Sequence, residues 1–194
     1  MLYINDHLHD FDLTAALAEL SEQRREQALR YRYELGQRTC AAAYLLLCEA
    51  LRKEYGIEEK PVFIFGEHGK PSIEGHPEIH FNLSHCREAA LCCVSDRPVG
   101  VDVEAVRPLR DGLVEYTMND AEIAEIREAA EPALAFTLLW TMKEALLKLT
   151  GEGINNHLKE VLRRDDVVFE TTVGPNARYI YSICRFKVWP VYGQ

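Results

Sequence analysis

The chain has 194 residues, 47% of them hydrophobic and 27% charged, with a formal charge of −9. That composition supports a sizeable buried core and excludes wholesale disorder. The acidic balance excludes general nucleic-acid or membrane-surface binding as the main activity, since both need a basic face.

The opening stretch MLYINDHLHD has neither a basic flank nor a long apolar run, so no secretory leader is expected. Helical periodicity from Leu13 to Tyr55 predicts a shorter helix and then a long one, closed by Gly56 as a C-cap. PVFIF reads as a short strand and GEHGKPSIEGHP as turns. EIHFNLSH alternates, with Ile79, Phe81 and Leu83 on one face and His80, Asn82 and Ser84 on the other. AALCCVS and VGVDVE are further strands, separated by a turn at DRP. MNDAEIAEIREAAEP is an amphipathic helix with Asn119 or Asp120 as N-cap. A strongly apolar helix then starts at Pro132 and stops before Gly151. VVFETT, RYIYSICRF and KVWPVY close the chain as strands.

Each half thus holds a long helix and a few strands. The expected fold is α+β: two similar halves, 1–98 and 99–194, related by a pseudo-twofold axis. No membrane-spanning run is present, since none reaches the ~18 apolar residues needed. Six cysteines without a C-x-x-C pair read as buried reduced thiols, with Cys92 and Cys93 facing opposite sides of a strand. A cytoplasmic protein is expected.

The apolar helix carries WTMKEALLK at residues 140–148. At about 100° per residue, Thr137, Thr141, Glu144 and Lys148 form one narrow polar stripe, with Lys143 standing about 100° from Glu144. Taken alone, this is an ordinary solvated face with an i,i+4 pair. VGVDVE places Asp102 and Glu104 side by side, where they repel unless a cation or solvent intervenes. Together with Glu144 they offer hard oxygen ligands and no sulfur or imidazole, a donor set that suits Mg²⁺. Ser84, His85, Lys70 and the cluster Arg24, Arg25, Arg30, Arg32 and Arg38 supply donors for phosphate groups, or else a solvated basic face.

GKP, FNLSH, VGVDVE and WTMKEALLK, in this order and spacing, resemble the 4'-phosphopantetheinyl transferases, in particular the larger surfactin-synthetase-activating type. The resemblance runs over residues 20–155, and the last forty or so residues match only in style. It implies two α+β halves with the site between them, and transfer of 4'-phosphopantetheine from coenzyme A to a serine of an apo carrier protein, acyl, polyketide or peptidyl. It implies Asp102, Glu104 and Glu144 as Mg²⁺ carboxylates, and Lys143 and Lys148 around the coenzyme A pyrophosphate. Ser84 and His85 match the 3'-phosphate contacts, Lys70 and Pro71 the segment flanking adenine, Arg38 a helix arginine near the nucleotide, and Arg24 a further 3'-phosphate contact. Gln27 stands where some members have a second basic residue. Glu144, with Lys148 as electrostatic partner, is the leading catalytic residue; a metal-bound water and Glu122 are alternative bases. A monomer suffices for such a site. A non-catalytic coenzyme A or nucleotide module and a Mg²⁺-dependent phosphohydrolase stay open as rival readings.

Overall fold

A computed structural model describes residues 1–66, 69–153 and 158–188. Its elements in chain order are β1 (Leu2–Asn5), α1 (Leu13–Glu19), α2 (Glu22–Leu29), α3 (Glu34–Tyr55), β2 (Phe63–Phe65), β3 (Pro71–Ile73), β4 (His80–His85) and β5 (Ala90–Ser95). There follow β6 (Val99–Ala105), α4 (Asp111–Thr117), α5 (Asp120–Glu128), α6 (Pro132–Thr150), β7 (Val167–Val173) and β8 (Tyr179–Phe186). The α+β class is as expected. All paired strands are antiparallel, in sheets ordered β1-β5-β4, β2-β3 and β6-β8-β7.

The layers run helix, sheet, sheet, helix. Alternation along β5 explains the middle: Ala90, Cys92 and Val94 pack with α3, while Leu91 and Cys93 pack with Val99, Val101 and Val103 of β6. The adjacent cysteines therefore do face opposite sides, and all six are free thiols. Beyond β6 lies α6, and Gly100 is what lets it come close. A Cβ at Gly100 would stand 1.9 Å from the Ala145 carbonyl oxygen and 2.5 Å from the Leu149 nitrogen.

The seam between the two sheets is made by side chains. The Val101 N–H donates to Asn82 Oδ1 at 2.8 Å and the Val103 N–H to Ser84 Oγ at 3.2 Å. Asn82 and Ser84 are consequently buried although they lie on the polar face of β4.

Several local expectations change. The predicted first helix is two, because Ser21 accepts from the Arg24 N–H and starts α2 afresh. The long helix does end at Gly56, at φ +69. The turn-rich segment includes β3, and β1 and α4 were not foreseen. The KVWPVY strand lies largely outside the described residues. On α6, Thr137 and Thr141 are buried: Thr141 Oγ1 meets Ser182 Oγ of β8 at 2.8 Å, and Thr137 donates to the Ala133 carbonyl. Thr141 of the polar stripe thus faces β8, and the Glu144–Lys148 end opens onto a cavity. No helix among the described residues is long and apolar enough to cross a membrane.

Candidate active site

That cavity, about 420 Å³, lies between α2, β3 and β4 on one side and the end of α6 on the other. Arg24, Lys70, His85 and Lys148 line it, together with Glu144, the one acid among the described residues of its wall. A cationic hollow in a chain of charge −9 is a place built for an anion. Its apolar wall comes from Phe63, Phe65, Pro71, Leu83 and Leu147.

Each cation is held from behind. Arg24 on α2 donates to Gln27 Oε1 at 2.8 Å and to the Cys40 carbonyl at 3.1 Å, while its buried Nε has no partner among the described residues. Lys70 donates to the Leu149 carbonyl at 2.8 Å, capping the negative end of α6. Burial pushes Lys70 down to about 8. His85 falls to about 4, chiefly through burial and then through the charges of Arg24 and Lys148. Its ring meets the Tyr31 ring edge-on at 5.9 Å.

Lys148 reaches out of α6 to Asp102 Oδ1 at 2.5 Å and to Ser84 Oγ at 2.9 Å. The Ser84 hydroxyl donates to the same carboxylate oxygen at 2.8 Å. Asp102 is 3% exposed, and its Oδ2 is buried with no hydrogen-bond partner among the described residues. Glu104 is pushed up to about 7, first by burial and then by Asp102; the Trp140 side chain hydrogen-bonds to it. Glu144 is also raised, by burial and then by Asp102. Glu104 and Glu144 therefore both lie within the field of Asp102, as expected of β6 and α6 in contact.

They are not gathered as ligands: among the described residues no three His, Cys, Asp or Glu side chains stand close enough to hold a metal ion. Glu104 lines a neighbouring hollow of about 270 Å³ with Arg107, Leu113, Phe136 and Trp140. The donor chemistry nevertheless fits a hard divalent cation, and the orphaned Asp102 Oδ2 is an oxygen in need of one.

Other expected site residues are placed elsewhere. Lys143 does not approach the cavity. Its side chain is fully buried, and Nζ donates to Glu122 Oε2 at 2.7 Å, the Thr117 carbonyl at 2.9 Å and the Leu158 carbonyl at 2.8 Å. All three ammonium protons are used, so no pyrophosphate contact remains for it. Glu122, paired with Lys143 and closing a capping box with Asn119, is removed from the set of possible bases. Arg38 is turned to Glu34, at 2.6 and 2.8 Å, and to the Phe11 carbonyl, and it does not line the cavity. The Ser84 hydroxyl is engaged with Asp102 and is not free for a phosphate. Phe63, Phe65 and Leu147 line the cavity and went unnoticed in the sequence, where nothing distinguishes them from core residues; Asn82, expected only on the polar face of its strand, lines it too.

Comparison with known proteins gives one family. A model of the 4'-phosphopantetheinyl transferase superfamily matches residues 98–187. The 4'-phosphopantetheinyl transferase psf-1 of Bacillus pumilus is 31% identical over 148 residues, 75% of this chain and 64% of that protein. Sfp of Bacillus subtilis (strain 168) is 24% identical over 79% of this chain and 70% of its own, and HetI of Nostoc sp. is 32% identical over 71% and 62%. The chain thus spans less than two thirds of several curated relatives it matches. The superfamily match spans β6 and α6, the elements that carry Asp102, Glu144 and Lys148, and the relatives share one name; the chain is similar to the 4'-phosphopantetheinyl transferase superfamily.

Proposed function

We propose that this chain transfers the 4'-phosphopantetheine group from coenzyme A to a serine of an apo carrier protein, with Mg²⁺, releasing adenosine 3',5'-bisphosphate. The observation that carries the reading is the cavity lined by Arg24, Lys70, Glu144 and Lys148, with Asp102 buried behind Lys148. Its apolar wall suits a purine, with Lys70 and Pro71 at its edge. Arg24 and His85 suit the 3'-phosphate, which would recharge His85. Lys70 and Lys148 suit the diphosphate.

In the reaction the serine oxygen attacks the β-phosphorus, a new P–O bond forms, and the bond to the bisphosphate leaving group breaks. Glu144 is the candidate base for the serine proton, directly or through a water held at the metal site. Lys148 offsets charge on the departing phosphate. Asp102, Glu104 and Glu144 would hold the Mg²⁺, which supplies charge neutralisation of the diphosphate when bound. Arg38, Ser84 and Lys143 stay outside this set. The two halves, each a long helix on a three-stranded sheet, are read as pseudo-twofold partners divided near Pro98, so one chain builds the site as a monomer. Coenzyme A and the carrier are its partners, with no role for nucleic acid or membrane, and free thiols suit a cytoplasmic setting.

Mass spectrometry of an apo carrier incubated with coenzyme A and Mg²⁺ tests this. A gain of one phosphopantetheine is expected. An unchanged carrier, with or without cleaved coenzyme A, rejects the transferase in favour of a binding module or a phosphohydrolase. Asp102→Ala should abolish the gain while circular dichroism stays native; wild-type turnover in that variant would refute the metal assignment.

A further inference from the structure

Asp102 poses a question that the transfer reaction leaves open. A carboxylate 3% exposed needs a counter-charge at all times, because an unpaired ion is costly to bury. That counter-charge is Lys148, at 2.5 Å from Oδ1. The Lys148 side chain is 29% exposed and lines the cavity, so it sits between a buried acid and an open anion site. It can swing toward either on its four-carbon stem. Meanwhile the other carboxylate oxygen, Oδ2, has no partner among the described residues, and the three acids are not gathered as a set of ligands while Lys148 holds Asp102.

We propose that Lys148 is a stand-in cation: it neutralises Asp102 until a diphosphate draws it into the cavity, and its departure is what frees Asp102 for the divalent ion. This deepens the transferase reading and rests on it for the identity of the anion. The chain's own ammonium and the metal are then competitors for one carboxylate. The metal binds weakly to the empty protein and well only when an anion has given Lys148 another partner. Ser84 supports the exchange, because its hydroxyl donates to Oδ1 and so keeps the carboxylate oriented after the lysine leaves. Such an arrangement prevents the acid cluster from trapping an ion in the absence of substrate.

The test is a titration with Mn²⁺ alone, read by the electron paramagnetic resonance of the free ion, with no coenzyme and no carrier present. Lys148→Met should bind Mn²⁺ at least about tenfold tighter than wild type, within the range of coupling between sites. Lys70→Met removes a cation from the same cavity but not from Asp102, and should change the affinity by less than about threefold, the scale of a screened charge. Equal affinities of Lys148→Met and wild type overturn the proposal. So does an equal tightening by Lys70→Met, which would reduce the effect to the general field. Should Lys148→Met fail to fold, a crystal structure of the wild type with Mn²⁺ and inorganic pyrophosphate decides: Lys148 Nζ is expected on phosphate and away from Asp102. A retained Lys148–Asp102 bond in that complex refutes the exchange. Since neither measurement follows transfer, the carrier mass gain stands or falls separately.

Discussion

Lys70 and His85 lean toward their neutral forms, and burial is the leading cause for both. For His85 the neighbouring cations Arg24 and Lys148 add to it. An anion in the cavity reverses the effect, because it favours the charged forms and raises both pKa values. Binding therefore takes up protons. At a pH of about 8.5, Lys70 is mostly neutral in the free protein, so adenosine 3',5'-bisphosphate should bind with uptake of a large fraction of one proton. Calorimetry in two buffers of different ionisation enthalpy measures it. Lys70→Arg, charged throughout, should remove the Lys70 share of the uptake and leave only that of His85, while preserving affinity. At Lys143 the issue is stability. Removing one member of a buried ion pair costs about 3–5 kcal/mol, so Lys143→Met should lower the urea midpoint sharply. The double variant with Glu122→Gln should cost less than the two singles combined.

The site at the scale of elements is β6 pressed on α6, and Gly100 sets the distance. Gly100→Ala puts a methyl against helix backbone, which cannot rotate away as a side chain can. A loss of at least about 3 kcal/mol is expected in chemical denaturation, at the upper end of overpacking penalties. A neutral Gly100→Ala would show that α6 can shift away from β6. These two elements were also the legible part of the sequence. Period-two alternation fixed Asp102 beside Glu104, and the helical wheel joined Glu144 to Lys148. The wheel also put Lys143 aside from that stripe, but an angle does not name the neighbour, and α5 with the Leu158 carbonyl claimed it. β1 and α4 escaped because they are short: LYIN becomes a strand through its pairing with β5, a contact no local pattern announces. Ser84 and Asn82 were placed on the right face, but their duty there depends on a strand that follows later in the chain.

Across the whole molecule the charge is acidic, yet the surface around Tyr31 is not. Leu29, Tyr31 and Tyr33 are exposed, Arg30 and Arg32 flank them, and Arg32 stacks over the Tyr33 ring at 5.4 Å. Exposed tyrosine with arginine is the composition of binding hot spots. Since Tyr31 also touches His85 at the cavity, this loop is a candidate dock for an acidic carrier. Arg32→Glu should raise KM for carrier protein several-fold more than KM for coenzyme A, measured by varying each in turn; equal changes would place the dock elsewhere.

The seam between the sheets has one more consequence. Peptide groups are common to every residue, so almost all substitutions other than proline leave the hydrogen bonds of a strand ladder in place. Asn82 and Ser84 replace that ladder with two editable links, at the border where the hollow is formed. The spacing of the molecule's two sides is thereby encoded in replaceable side chains, and the width available to a ligand becomes an adjustable trait of the sequence.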